Sequence, residues 1–192
     1  MKHIGIFLDR DGTINEEMGY LSTPNDLRLI PGAADAIREA NRYGFKVFVT
    51  TNQSGVARGL ITEEQLAKIH RTLIEKLQQN NAHLDTIYYC PHHPEIGEAP
   101  YRNNCECRKP NTGMLIRASK EHNLDLTKSF VIGDKMIDIQ TGNNAGAIPI
   151  LVLTGYGKKE LVLCKHNNIR IDYIAEDIID AIHYIQHATQ KQ

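Results

Sequence analysis

Two hydrophobic rhythms alternate along the chain. "IGIFLD", from Ile4 to Asp9, is a nearly continuous apolar run closed by a carboxylate, the pattern of a strand buried on both faces. "ADAIREANRYG", from Ala33, follows a helical period and stops at Gly44, and "FKVFVTT" from Phe45 returns to the strand pattern. Thr62 and Gln65 make a capping box before "EEQLAKIHRTLIEKLQQ", where Leu66, Ile69, Leu73 and Leu77 recur at helical spacing. "TIYYC", "SFVIGD" and "IPILVLT" predict three further strands, with helices over "GMLIRASKEH" and "MIDIQTGNNAG" between them. A helix-like segment carries Cys164, and a weak strand at "YIA" precedes a helical tail from Glu176 to Gln190. Such alternation predicts an α/β fold: a doubly wound, Rossmann-like parallel sheet in three α/β/α layers, joined by right-handed crossovers.

Composition narrows the class. At 192 residues the chain fits a single domain over 1–192, and 41% hydrophobic with 23% charged residues describes a globular protein. No apolar run approaches the roughly 20 residues of a membrane span, and "MKHIGIFLDR" reaches charged residues too soon for a secretory signal, so a cytoplasmic protein is expected. A net charge of −1 supplies no field to draw nucleic acid or anionic lipid, which leaves a small molecule as the expected partner. Small size and modest charge permit a monomer. Of the four cysteines, Cys90, Cys105 and Cys107 cluster while Cys164 stands apart, a spacing that suggests ligation rather than disulfides.

The informative polar residues fall at strand C-termini, where open α/β sheets bind ligands. Asp9 and Asp11 follow the first strand, Thr51 and Asn52 the second, the cysteine-rich loop the third, and Asp134 with Asp138 the fourth. Acidic groups meeting at one crevice repel one another unless a cation or proton intervenes, and hard oxygen donors select Mg²⁺. One carboxylate beside a metal-bound phosphate could act as nucleophile and a second as general acid and base. A hydroxyl and backbone N–H groups from "TTNQSG", with Lys109, could then stabilise the phosphoryl oxygens.

"DRDGT", "TTNQSG", "RKP" and "GDKMID", in this order, resemble the four motifs of the haloacid dehalogenase (HAD) superfamily of aspartate-nucleophile phosphohydrolases. The resemblance implies Asp9 as nucleophile and Mg²⁺ ligand, and Asp11 as general acid and base, with its backbone carbonyl on the metal. Thr51 and Lys109 would hold the phosphoryl group, and Asp134 would ligate Mg²⁺ with Asp138 behind it. Only about one helix and a loop fit between Asp11 and Thr51, so no large cap is expected and the site should be open.

The stretch "YYCPHHPEIGEAPYRNNCECRKP" pairs Cys-x-His with Cys-x-Cys, the four ligands of a closed structural zinc site. Cys90, His92, Cys105 and Cys107 are the expected ligands, His92 being preferred to His93 by its spacing, in a loop at about 90–110. "CPHHP", "CECRKP", "TNQSGVARG" and "GDKMID" together resemble the capless, zinc-containing D-glycero-D-manno-heptose 1,7-bisphosphate 7-phosphatases. That likeness implies removal of the 7-phosphate on the route to nucleotide-activated heptose for surface polysaccharide. It also implies a substrate pocket from Glu17, Met18, Gly19, Tyr20, Ser54, Arg108 and Lys135, with Asn52 and Gln53 beside them and Arg58 nearby. The rival readings are a histidinol-phosphate phosphatase, a polynucleotide phosphatase and a non-catalytic zinc-stabilised binding module. A missing basic stripe speaks against the polynucleotide phosphatase, and the complete set of motif residues against the binding module.

Overall fold

The apolar runs become six parallel strands: β1 (Gly5–Leu8), β2 (Lys46–Asn52), β3 (Thr86–Cys90), β4 (Phe130–Gly133), β5 (Ile148–Val152) and β6 (Tyr173–Ala175). They pair in the order β3-β2-β1-β4-β5-β6 in this computed structural model, which describes residues 2–190. Five helices connect them, α1 (Ala33–Arg42), α2 (Glu63–Gln78), α3 (Gly113–His122), α4 (Met136–Ala145) and α5 (Gly157–His166), and α6 (Ile178–Thr189) follows β6.

Strand alternation sorts the side chains into two cores. Ile6 and Leu8 of β1, with Val47 and Val49 of β2, face a layer built by α1, α2 and α6 through Ile37, Leu73 and Ile182. Phe7 and Phe48 point the other way, toward Leu115 and Ala118 of α3, and their rings stack with centroids 5.3 Å apart. Each such phenylalanine, fully buried, contributes on the order of 3 kcal/mol. On the same side, Ile139 of α4 and Leu151 of β5 enclose Cys164 of α5. The fourth cysteine is thus a small packing residue, and its helix-like segment is a full helix.

Local chemistry explains the boundaries. The Thr62 hydroxyl accepts from the Gln65 N–H at 3.1 Å and the Gln65 side chain accepts from the Thr62 N–H at 2.7 Å, so the capping box forms as expected. The tail helix starts later than its apolar pattern, at Ile178, because Asp177 adopts an extended backbone and caps it by accepting from the Asp180 N–H.

The chain leaves β1 for β2 on one side and β4 for β5 on the other, so the strand order reverses between β1 and β4. Their carboxyl ends open the crevice where such sheets bind ligands. Among the described residues the two places where a cap would be inserted hold little: one 3₁₀ turn and α1 between Asp11 and β2, and a loop after β3.

Behind that crevice α2 buries His70, whose ring meets the Tyr89 ring edge-on at 5.5 Å. Burial, with the Arg10 charge adding to it, pushes its pKa down to about 3. In the unfolded chain the imidazole takes up a proton near pH 6.5, so the unfolded state binds more protons between the two values. Stability is then complete above pH 6.5 and declines as pH falls, by about 1.4 kcal/mol per pH unit from this one group. Denaturant titrations at pH 7 and pH 5 should show a loss about 2 kcal/mol smaller in His70→Leu than in the parent; equal losses would mean His70 is charged in the fold.

Candidate active site

Four strand ends deliver the site. Asp9 leaves β1 with its N–H donating to the Ile132 carbonyl at 2.9 Å, which ties it to the end of β4. Its carboxylate converges with those of Asp134 and Asp138, all three buried, with one oxygen from each lying within 4.8 Å of the others. Asp134 Oδ2 accepts from the Tyr156 N–H at 2.9 Å, whereas its buried Oδ1 has no partner. Burial and then the Asp9 charge raise the Asp134 pKa to about 8. Burial likewise raises Asp138, to about 6, against the opposing pull of Lys109. Three buried carboxylates with an orphaned oxygen among them are short of one cation, and an all-oxygen set of this kind fits Mg²⁺.

Lys109 supplies part of the balance. Its Nζ donates to Asp9 Oδ1 at 2.8 Å, to Asp138 Oδ1 at 2.5 Å and to the Thr50 carbonyl at 2.7 Å, so all three ammonium protons are used. Burial alone would lower its pKa, but Asp138 and Asp9 overcome this and raise it. Its backbone is clamped by Asn52, which accepts from the Lys109 N–H at 3.0 Å and donates to the Lys109 carbonyl at 3.1 Å. Asn52 therefore sets the loop's position as well as edging the cleft.

Two glycines let the elements close on Asp134. Gly12 sits at φ +85° and Gly155 at φ +53°, and a Cβ on either would run into the Asp134 carboxylate. Alanine at Gly12 would meet both a backbone and a packing penalty.

Asp11 stands apart from the three-carboxylate cluster. Arg10, Asn15 and Gln53 all donate to it, at 2.8–3.1 Å. Burial raises its pKa, yet the Arg10 charge and these hydrogen bonds together bring it below the usual value. Thr51 is buried and its Oγ1 accepts from Gln53 at 2.8 Å, which leaves the hydroxyl proton for an incoming oxygen.

A cleft of about 350 Å³ opens in front of these groups, lined among others by Glu17, Tyr20, Ser54, Arg108 and Lys135, with Gly19, Asn52 and Gln53. Met18 is the exception among the residues expected there: it is half exposed and does not line the cleft. A larger hollow of about 690 Å³, around the start of α3, holds none of the four motifs' carboxylates. Sequence reasoning missed the ion pair across the cleft, where Lys135 Nζ donates to Glu17 Oε2 at 2.6 Å. It missed Tyr156 too, whose ring lies 5.2 Å from the Lys135 ammonium. Neither partner is near the other in the chain, so no local pattern announces them.

The cysteine-rich loop folds onto itself beside the cleft. Cys90 Sγ lies 3.4 Å from Cys105 Sγ, Cys105 lies 3.1 Å from Cys107, and His92 Nδ1 is 3.7 Å from Cys90 and 3.5 Å from Cys107. All four cysteines of the chain are free thiols. A tetrahedral ion with Zn–S bonds of about 2.3 Å would space its sulfurs by about 3.7 Å, so the donor set and its size fit Zn²⁺ after a small expansion. His93 is used otherwise: its Nδ1 accepts from the Glu95 and Ile96 N–H groups, each at 3.1 Å.

Residues 106–181 match the HAD-hydrolase-like family model. The chain is 42% identical to the D-glycero-D-manno-heptose-1,7-bisphosphate 7-phosphatase of Thermosynechococcus vestitus, over 96% of both chains. It is 41% identical to the D-glycero-beta-D-manno-heptose-1,7-bisphosphate 7-phosphatase of Haemophilus influenzae, over 91% of this chain and 92% of that one. The crystal structure of D,D-heptose 1,7-bisphosphate phosphatase from B. bronchiseptica, complexed with magnesium and phosphate, superposes with a TM-score of 0.85 over all of both chains at 31% identity.

A structural zinc's binding energy is also the folding energy of its loop. Chelation should therefore lower the melting temperature and speed amide exchange over residues 91–110, with zinc content followed by mass spectrometry. A zinc-free protein with unchanged melting and exchange would sink the assignment.

Proposed function

The chain belongs to the D-glycero-D-manno-heptose-1,7-bisphosphate 7-phosphatase family of HAD-like hydrolases, and from that membership we propose that it removes the 7-phosphate of this sugar bisphosphate through an aspartyl-phosphate. The observation that carries the reading is the meeting of Asp9, Asp134 and Lys109 at the β1/β4 switch point, with Asp11 beside them. The product keeps its anomeric phosphate, as required for nucleotide activation of heptose on the way to surface polysaccharide.

Asp9, Asp134 and the Asp11 backbone carbonyl would hold Mg²⁺, with Asp138 fixing Lys109 and the start of α4 behind them. When bound, Mg²⁺ neutralises the carboxylate cluster and polarises the phosphoryl oxygens. The free Asp9 oxygen attacks phosphorus, while the Lys109 charge, held against Asp9, and the Thr51 hydroxyl offset charge on the phosphoryl oxygens. Asp11 gives a proton to the departing sugar oxygen as the P–O bond breaks, a proton it must carry against the pull of Arg10 that lowers its pKa. The resulting carboxylate then takes a proton from water as that water attacks the aspartyl-phosphate, and phosphate leaves.

The sugar lies in the open cleft, among Glu17, Gly19, Tyr20, Ser54 and Lys135. Arg108 faces the second phosphate: its Nη1 donates to the His92 carbonyl at 3.0 Å, which orients the guanidinium and leaves other donors for an anion. The zinc loop at about 90–110 belongs to the same single domain over 1–192. A site for a small sugar phosphate needs neither nucleic acid nor membrane, and among the described residues no helix is long and apolar enough to cross a membrane. Thiol ligands are kept reduced in the cytoplasm, which supports an enzyme working there, and its small size and modest charge permit a monomer.

Asp9→Asn removes the nucleophile but keeps the Lys109 contact, so turnover should vanish while the circular dichroism spectrum is unchanged; retained turnover would exclude the aspartyl-phosphate route. With the parent enzyme, kcat/KM for the heptose bisphosphate should exceed that for histidinol phosphate and fructose 1,6-bisphosphate. Preference for either competitor would overturn the substrate. Running both anomers side by side settles which one is used, since the Haemophilus relative's name specifies β and the Thermosynechococcus relative's does not.

A further inference from the structure

Arg10 separates the nucleophile from the acid/base residue in sequence, and its place in the fold is unusual for a charged side chain. It is only 1% exposed. As β1 ends, Asp9 and Asp11 face the crevice and Arg10 turns inward, then brings its guanidinium back to the neighbouring carboxylate. Nε donates to Asp11 Oδ1 at 3.1 Å, and Nη2 donates to Oδ1 at 2.9 Å and to Oδ2 at 2.8 Å.

Gln53 completes the grip. Its Nε2 donates to Asp11 Oδ2 at 2.9 Å and to Thr51 Oγ1 at 2.8 Å, while its Oε1 accepts from Arg10 Nη2 at 3.2 Å. Both amide protons are thereby spent inside the protein, and none remains for a sugar hydroxyl. Gln53, expected from the motif to touch substrate, is instead 6% exposed and bonded on three sides to the catalytic apparatus. Asn15 adds a donor to Asp11 Oδ1 at 2.9 Å and anchors its other proton on the Glu16 carbonyl at 2.9 Å.

We propose that Arg10 and Gln53 form a buried clamp that positions Asp11, and through Thr51 ties the acid/base group to the phosphoryl-holding hydroxyl. The inference rests on the aspartyl-phosphate reading and deepens it. Arg10 is not among the cleft residues, and Gln53 borders the cleft with both amide protons turned inward, so both act as positioning residues. Asp11 is only partly buried at the edge of an open, capless site, so its side chain has rotamer freedom to lose, and a bidentate guanidinium with a second amide restricts it to one orientation. The donors match the carboxylate form, the form that must take a proton from water as the aspartyl-phosphate breaks. Loosening the clamp should therefore harm that second step most clearly.

The test separates the two steps. With p-nitrophenyl phosphate the departing phenolate needs little help from an acid, so the phosphoenzyme forms quickly and its hydrolysis depends on Asp11 as base. Arg10→Met, which keeps length and apolar volume, should lower kcat on the sugar bisphosphate about ten- to a hundredfold with KM within about twofold. With p-nitrophenyl phosphate it should show a stoichiometric burst of p-nitrophenol and acid-stable accumulation of phosphoenzyme. Gln53→Met should do the same to a smaller degree, and it decides the matter if Arg10→Met does not fold. Arg10→Lys, lacking the fork, should not restore the parent rate. Unchanged kcat, or a loss of rate without a burst in folded variants, would overturn the clamp. If neither the parent nor any folded variant holds phosphoenzyme on rapid quenching, the aspartyl-phosphate reading falls and the clamp with it, an outcome distinct from a parent that traps phosphoenzyme and variants that do not accumulate it.

Discussion

A buried ammonium between carboxylates governs this molecule. Lys109 is 3% exposed, and its three donors end on Asp9, Asp138 and the β2 backbone. Charges this deep are costly unless paired and hydrogen-bonded, and removing one partner of such a pair typically costs about 3–5 kcal/mol. The arrangement therefore enforces itself. If the loop that carries Lys109 were displaced, Asp9, Asp134 and Asp138 would be left facing one another without compensation. The site's electrostatics and the loop's position are one problem with one solution, and the zinc cluster ending at Cys107, two residues earlier, stiffens the approach.

That constraint explains why the β1/β4 junction is built so closely. Gly12 and Gly155 allow backbone to lie against Asp134, and the Thr154 hydroxyl donates to the Gly12 carbonyl at 2.6 Å, tying the end of β5 to the loop after β1. Gly133 similarly leaves room for Asp138. At α4, Asp138 also accepts from the Lys135 N–H at 3.1 Å, so one carboxylate both caps the helix and fixes Lys109. Few side chains serve many contacts here, because little depth separates the ends of adjacent strands.

Much of this was legible in the residues. Apolar runs of strand length alternating with helical periods specify a parallel sheet, and the polar residue ending each run marks the crevice, since only strand ends are free of pairing. Asp9, Thr51, Lys109 and Asp134 could be found that way because each lies next to a strong local pattern. The orientation of Asp11, the inward turn of Arg10 and the internal use of Gln53 could not. They depend in part on contacts across 42 or 43 positions of sequence separation, as from Gln53 to Asp11 and to Arg10. Motif position predicted Gln53 as a substrate contact; it does line the cleft, but both its amide protons are spent on Asp11 and Thr51. The Glu17–Lys135 pair, 118 positions apart, was hidden for the same reason.

An open site has to obtain its selectivity without a lid, and the distribution of charge shows how. Lys135 lies between Glu17, Asp134 and the Tyr156 ring, so it is already compensated before substrate arrives. Arg108 is oriented through the His92 carbonyl, by the same loop the zinc ligands fold. Tyr20, half exposed, is backed by the Arg58 guanidinium 5.7 Å from its ring. A substrate carrying only the scissile phosphate would engage the crevice and little else. One with a second anion at the far end of a polyhydroxylated chain would meet oriented donors at both ends, each set before binding, so less freedom remains to be lost on association. On the proposed function, preorganised donors beside the Cys/His loop would take the part that domain closure plays where a site is covered, and discrimination would rest on the length and charge of the substrate.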